Sequence, residues 1–220
     1  MLTRRHFIAT SAALFSTPLA NPAFARTRPS AAQRARWDAQ VTPANFDLET
    51  SNPWGLQPRF LPRRVEARDG LTPGDIHVDA VARYLYHIEE GGTAMRYGVA
   101  IARGNLYEPG TYTIRRKVEW PTWTPTASMI ERNPEYARWE DGQDPGPSNP
   151  LGSRALYLFV GNRDTYLRIH GSPQSRSIGG RASSGCVRMV MAHINALYPN
   201  VAVGSTATLY SAEDSVTARS

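Results

Sequence analysis

The chain has 220 residues and a formal net charge of +6, with 25 Lys and Arg against 19 Asp and Glu. The positive excess is mild and no basic stripe is interleaved with aromatics, so nucleic acid is excluded as an expected partner, while anionic surfaces of the cell envelope remain suitable ones. A single cysteine excludes an internal disulfide framework.

The chain begins Met1-Leu2-Thr3-Arg4-Arg5-His6-Phe7-Ile8, and apolar residues continue to Phe15. Paired arginines, a nearby Phe and a short apolar run form a twin-arginine export signal. Ala23-Phe24-Ala25 is the expected cleavage site, so residues 1–25 are the signal and the mature chain starts at Arg26. Losing Arg4 and Arg5 lowers the formal charge from +6 to +4. The apolar run is short and rich in Ala, Ser and Thr, and no later stretch suits a bilayer, so no transmembrane segment is expected in the mature protein. No cysteine follows the signal, so a lipid anchor there is not expected either.

Residues 26–73 are rich in Arg, Pro and Ala. Pro43, Pro53, Pro58 and Pro62 interrupt regular structure, and the segment reads as an extended arm anchored by Trp37, Phe46, Trp54 and Phe60. From Gly74 the texture changes. Ile76–Asp79 and Ala82–Ile88 read as strands, Glu90-Gly91-Gly92 as a hairpin turn, and Met95–Ile101 as the returning strand. His77 and His87 read as partly exposed strand residues rather than ligands. Tyr107–Ile114 continues the β pattern. Residues 118–152, with Trp120, Trp123, Trp139 and the phrase Asn149-Pro150-Leu151-Gly152, show no clear strand; so long a segment is either a lid over a site or a structural insertion held by its Trp residues. Ala155–Val160 reads as a buried strand, Gly161-Asn162 as a turn, and Tyr166–Ile169 as a short strand that delivers His170. A short helix spans Val190–Tyr198, with His193 on its exposed face, and Thr206–Tyr210 is the last strand. The domain is assigned to 74–212 and a polar tail to 213–220. No metal or other cofactor is expected, because the five histidines are scattered and there is no second Cys.

Sixteen positions separate His170 from Cys186, and the span between them is rich in Gly and Ser. So little apolar content does not explain such a loop by core burial; it suits a connection that brings a base to a nucleophile. A free thiol titrates near roughly 8.5, and an adjacent imidazole that takes its proton can keep the sulfur charged as an ion pair. Backbone N–H groups around Gly185 and Cys186 are candidate donors to an oxyanion.

This stretch resembles the L,D-transpeptidase family (the YkuD-like catalytic domain), whose motif is His-Gly, a Gly/Ser-rich span, then Ser/Thr-His-Gly-Cys-apolar-Asn. Here it reads His170-Gly171 and Ser183-Ser184-Gly185-Cys186-Val187-Arg188, with Ser184 in place of the second His and Arg188 in place of Asn. A Ser-Ser-Gly-Cys-Ile/Val-Arg-Met form marks a large subgroup, and the Trp-Pro-Thr-Trp and Asn-Pro-Leu-Gly phrases resemble the same subgroup. The resemblance covers roughly residues 74–210. It implies a mainly β domain, with mixed sheets packed face to face and one short helix after Cys186. It implies a periplasmic enzyme that forms an acyl-enzyme with peptidoglycan tetrapeptide stems and passes it to an amine, making 3→3 crosslinks or attaching outer-membrane proteins or lipoproteins to the wall. Cys186 is the implied nucleophile, His170 the proton acceptor and donor, the Gly171 carbonyl the group orienting His170, and the Gly185 N–H an oxyanion donor. Arg188, Ser183, Ser184 and Trp123 are the substrate-binding candidates, and carbapenems are implied covalent inhibitors. An L,D-carboxypeptidase using water as acceptor, a papain-like cell-wall peptidase and a non-catalytic wall-binding module are the alternatives; the second normally places Cys before His in the chain.

Overall fold

A computed structural model of the protein describes residues 28–211. The expected export signal, 1–25, and the polar tail, 213–220, lie outside the described residues. In chain order come α1 (Ala31–Val41), β1 (Arg63–Glu66), β2 (Ile76–Asp79), β3 (Tyr84–Ile88), β4 (Thr93–Gly98), β5 (Ile101–Ala102), β6 (Gly110–Glu119), α2 (Ala127–Arg132), β7 (Arg154–Val160), β8 (Arg163–Ser172), β9 (Arg181–Ser183), β10 (Val187–Val190), α3 (Met191–Leu197) and β11 (Thr206–Tyr210).

The fold is mainly β. One nine-stranded sheet runs β1-β4-β3-β2-β11-β6-β7-β8-β10, and β5 and β9 form a small second pair. It is mixed: β11 lies parallel to β2 and β10 parallel to β8, and the other ladders are antiparallel. Ile76, Val78, Leu85, Met95 and Tyr97 from one end of the sheet join Leu156, Leu158, Ile169, Val187 and Met189 from the other in a single buried cluster, together with Ile194 and Leu197 of α3. A bridge between Ala100, just past β4, and Arg188 of β10 brings the two ends together. The face-to-face packing is therefore made by one sheet folding over on itself, not by separate sheets. Burying each large aliphatic side chain contributes about 1.5–3 kcal/mol, which is what drives the closure.

Three sequence expectations are corrected. The segment 26–73 is not merely an extended arm: it holds α1 and the edge strand β1, which pairs with β4. The prolines lie outside α1, whose sequence Ala-Ala-Gln-Arg-Ala-Arg-Trp-Asp-Ala-Gln-Val contains good helix formers, and Ser30 caps it by accepting from the Gln33 N–H at 3.1 Å. The helix is tied to the sheet, because Arg154 donates to both carboxylate oxygens of Asp38 at 2.9 and 2.8 Å and the Trp37 ring meets Trp120 at 5.1 Å. His77 and His87 are buried rather than partly exposed, since β2 and β3 lie inside the sheet and are covered on both faces. His193 is fully buried instead of solvent-facing, because the segment before β1 folds over α3 and sets Phe46 and Trp54 against its ring.

Candidate active site

His170 sits near the end of β8, where a β7–β8 ladder places it opposite Ala155 and a parallel β8–β10 ladder places it opposite Arg188. Side chains on a strand alternate between faces, so Arg168, His170 and Ser172 share one face, opposite the face from which Ile169 enters the core. On β10, Arg188 and Val190 join that face. Cys186 precedes β10 by one residue and stands two residues before Arg188, which aligns it with the His170 side of the sheet. Residues sixteen apart in sequence are thus brought to one face of neighbouring strands.

The imidazole is held by its own neighbour. His170 Nδ1 lies 2.6 Å from the Gly171 carbonyl oxygen. A carbonyl only accepts, so Nδ1 carries the proton and Nε2 keeps a lone pair available to a base. The position of Gly171 is fixed in turn by Gly152. Asn149 is fully buried, accepts from the Leu151 N–H at 2.9 Å and donates to the carbonyls of Gln143 and Asp144 at 3.2 and 2.9 Å. This turn delivers Gly152 against the Gly171 backbone, which accounts physically for the Asn-Pro-Leu-Gly phrase.

The cysteine loop is braced from inside. Ser183 is buried, and its hydroxyl donates to the Cys186 carbonyl while accepting from the Gly185 N–H at 3.4 Å. Ser183, expected to touch substrate, has both hydrogen-bonding roles occupied within the loop. The same contact occupies the Gly185 N–H, the candidate oxyanion donor. Gly185 has φ +143°, a conformation suited to glycine. Ser184 and Arg188 remain half-buried at the surface. Arg188 donates to Gln174 Oε1 at 3.0 Å through Nη1, while its Nε is buried without a partner.

Burial governs the electrostatics. Desolvation pushes the Cys186 thiol up, against the backbone of Arg168 and the guanidiniums of Arg168 and Arg188, which favour the thiolate. Desolvation also pushes His170 down, to about 3, although the backbones of Gly171 and Leu151 favour its protonated form. Burial therefore favours the neutral form of both groups, and it weighs against the thiolate–imidazolium pair by stripping hydration from both charges. The thiol donates instead to the Tyr166 carbonyl, with Sγ 3.7 Å from the oxygen.

Tyr166 had no role in the sequence reading. The β7–β8 register shifts between Tyr157, opposite Arg168, and Phe159, opposite Asp164, so Thr165, Tyr166 and Leu167 bulge against Leu158. Tyr166, at the apex, has φ +61° and is 68% exposed. A non-glycine residue with that backbone costs of the order of 1 kcal/mol, and no sequence pattern announces it. The long 118–152 segment also reaches the site, but not through the residue expected. Trp123 is buried, exchanges backbone hydrogen bonds with Gln143 and packs edge-on against Tyr136 at 5.4 Å. It fastens the segment, whose approach to the site is made by Gly152 against the Gly171 backbone. Trp120 is likewise buried, its Nε1–H donating to Asp38 at 3.2 Å.

A family model for the YkuD L,D-transpeptidase catalytic domain matches residues 73–209.

The chain belongs to the L,D-transpeptidase catalytic-domain family.

A Fuscovulum blasticum protein, named as an L,D-transpeptidase in the ATP synthase subunits region, is 34% identical over 62% of this chain and 69% of its own length. The Escherichia coli K12 protein named probable L,D-transpeptidase YbiS is 30% identical over 74% of this chain but 52% of its own length, so the chain spans about half of that relative. Among solved structures, a Brucella melitensis chain described as a probable carnitine operon oxidoreductase is 48% identical, covers 70% of this chain and 96% of its own, and has a TM-score of 0.49. The oxidoreductase description is that protein's own. For an L,D-transpeptidase family member the site carries no group of three or more His, Cys, Asp or Glu placed to hold a metal among the described residues. No helix among them is long and apolar enough to cross a membrane.

Proposed function

We propose that this chain is a cysteine-dependent L,D-transpeptidase of the periplasm, exported by the twin-arginine pathway with cleavage after Ala25, and a member of the Ser-Ser-Gly-Cys-Val-Arg subgroup. Its substrates are peptidoglycan tetrapeptide stems. The observation that carries the reading is the shared face of adjoining strands: Cys186 stands two residues before the rung that pairs Arg188 with His170, whose Nδ1 is tied to Gly171, leaving Nε2 as the base.

Attack begins from the neutral pair. His170 Nε2 takes the thiol proton as Cys186 Sγ forms a bond to the carbonyl carbon of the third stem residue, at its L-centre. The carbonyl oxygen becomes an oxyanion, with the Cys186 N–H, and the Gly185 N–H if it leaves Ser183, as donors. Collapse breaks the C–N bond, and His170 returns the proton to the departing D-alanine amine. An acceptor amine then attacks the thioester, His170 takes its proton, and the sulfur leaves to regain the thiol. A neighbouring stem as acceptor gives a 3→3 crosslink, a protein amine attaches an envelope protein, and water gives the L,D-carboxypeptidase product. Arg188, on the face of His170, suits a substrate carboxylate.

The test is Cys186→Ala on purified tetrapeptide-bearing muropeptides, with circular dichroism to confirm folding. The folded variant is expected to lose both acyl transfer and the covalent carbapenem adduct seen by intact mass in the parent. Retained transfer would sink the assignment.

A further inference from the structure

The β8–β10 ladder opens with Val187 opposite Ile169, so Cys186 stands level with Arg168 at its edge. Arg168 lies two residues before His170 on the same face and is 8% exposed. Its guanidinium is fixed on several sides. Nη1 and Nη2 donate to Oδ1 and Oδ2 of Asp164 at 2.7 and 2.8 Å, and Nη1 donates also to the Leu167 carbonyl at 2.9 Å. The Tyr157 ring lies 3.9 Å from the guanidinium carbon and the Tyr166 ring 6.0 Å away. Asp164 Oδ1 further accepts from the Tyr166 N–H at 2.8 Å, so one carboxylate secures both the cation and the bulge whose carbonyl receives the resting thiol. Burying a guanidinium is costly, and an apolar residue could occupy the same rung without that cost. Stability alone does not account for Arg168.

We propose that Arg168 is an electrostatic positioning residue for Cys186: its clamped guanidinium stabilises the thiolate formed during attack, and Asp164 sets how much of that positive charge reaches the sulfur. The inference rests on the assignment of Cys186 as nucleophile. The other charged or titratable groups facing the thiol are Arg188 and His170 from the same sheet face and Glu108 from the segment before β6; Arg188 acts with Arg168, and Glu108 against it. Arg116 lies over the same Tyr157 ring, at 4.8 Å, and adds positive charge behind the clamp. Burial pushes the Asp164 carboxyl up, but the Arg168 hydrogen bonds and the Tyr166 N–H overcome it and leave it below its ordinary value, so the clamp is a true ion pair at neutral pH.

The two members of the clamp should move the thiol in opposite directions. The readout is the rate of Cys186 labelling by iodoacetamide, a neutral reagent, on the full chain at fixed pH, followed by intact mass. Cys186 is the only thiol in the protein. Arg168→Gln is expected to slow labelling about tenfold, the effect of removing one opposite charge close to an ionising group. Asp164→Asn is expected to speed it by roughly threefold, since the guanidinium is no longer neutralised. Arg168→Lys, which keeps the charge, should stay nearer the parent than Arg168→Gln. A merely structural clamp would shift both Arg168→Gln and Asp164→Asn in one direction, or neither, and either result overturns the inference. Should Arg168→Gln fail to fold, Asp164→Asn decides alone: faster labelling supports the inference, and unchanged or slower labelling overturns it. Acyl transfer surviving in Cys186→Ala would sink the proposed function without altering this readout.

Discussion

Gly152 lies against the backbone of Gly171 so closely that a Cβ built on it would stand 2.6 Å from the Gly171 carbonyl carbon and 2.8 Å from its oxygen. That oxygen is the one that holds His170 Nδ1. A side chain at 152 would also have to adopt φ +60°. The His170 imidazole is thus positioned by a backbone-to-backbone approach that only glycine permits.

Gly152→Ala is therefore expected to impair chemistry more than folding. The Gly171 carbonyl must shift, and the imidazole with it, and a displacement of that kind costs on the order of 10²-fold in turnover. The positive φ adds about 1–3 kcal/mol of destabilisation. Acyl transfer measured beside urea unfolding checks both. A variant with lower stability but parental turnover would show that the contact does not orient His170.

Acid should destabilise the fold through two buried neutral histidines. Desolvation pushes His170 and His193 each down to about 3, from an ordinary 6.5. Below about 6.5 the unfolded chain binds these protons while the folded one refuses them. Their contribution to stability is complete above 6.5 and is lost as pH falls toward 3, at on the order of 1 kcal/mol per pH unit for each residue. Both ring nitrogens of His193 are buried without hydrogen-bond partners, and Trp54, Phe46 and Tyr97 surround it at 5.1, 6.2 and 6.3 Å. His193→Phe removes an unsatisfied polar group from an aromatic site, so a gain of about 1 kcal/mol at pH 7 and a shallower acid limb are expected. Urea unfolding at several pH values reads the slope. An unchanged slope would mean that His193 does not refuse its proton.

Trp123 and Tyr136 distinguish fastening from gating in the 118–152 segment. Trp123 is buried and bound to Gln143, so Trp123→Ala is expected to lower the melting temperature, as loss of a buried indole does by about 3–5 kcal/mol. Tyr136 is half-buried and packs edge-on against the Trp123 ring. Tyr136→Ala should leave the melting temperature near the parent value and raise hydrolysis relative to crosslinking, because water gains access to the thioester. Muropeptide product ratios for the two variants provide the measurement. A ratio that is constant in both would remove any gating role.

The sequence alone showed the β character, the strands flanking His170 and the helix after Cys186, and it proposed pairing a lone thiol with one particular histidine. These are local or compositional signals: alternation with period two, turn residues at fixed places, and a Gly/Ser span too polar to be core. The structure decided what depends on atoms distant in the chain. His193 looked solvent-facing because the helical pattern does not show that Phe46 and Trp54 will cover it. Helix α1 was hidden by the prolines on either side of it, although its own residues favour a helix. The push of burial toward neutral forms of Cys186 and His170 could not be read from their spacing, because burial follows the closure of one sheet on itself. Arg168, two residues before the motif, carried no signal, since the clamp on Asp164 and the β8–β10 register that sets its backbone level with Cys186 both depend on the tertiary fold. Periodicity along a strand is written in the chain, whereas the dielectric around a side chain is a property of everything packed against it.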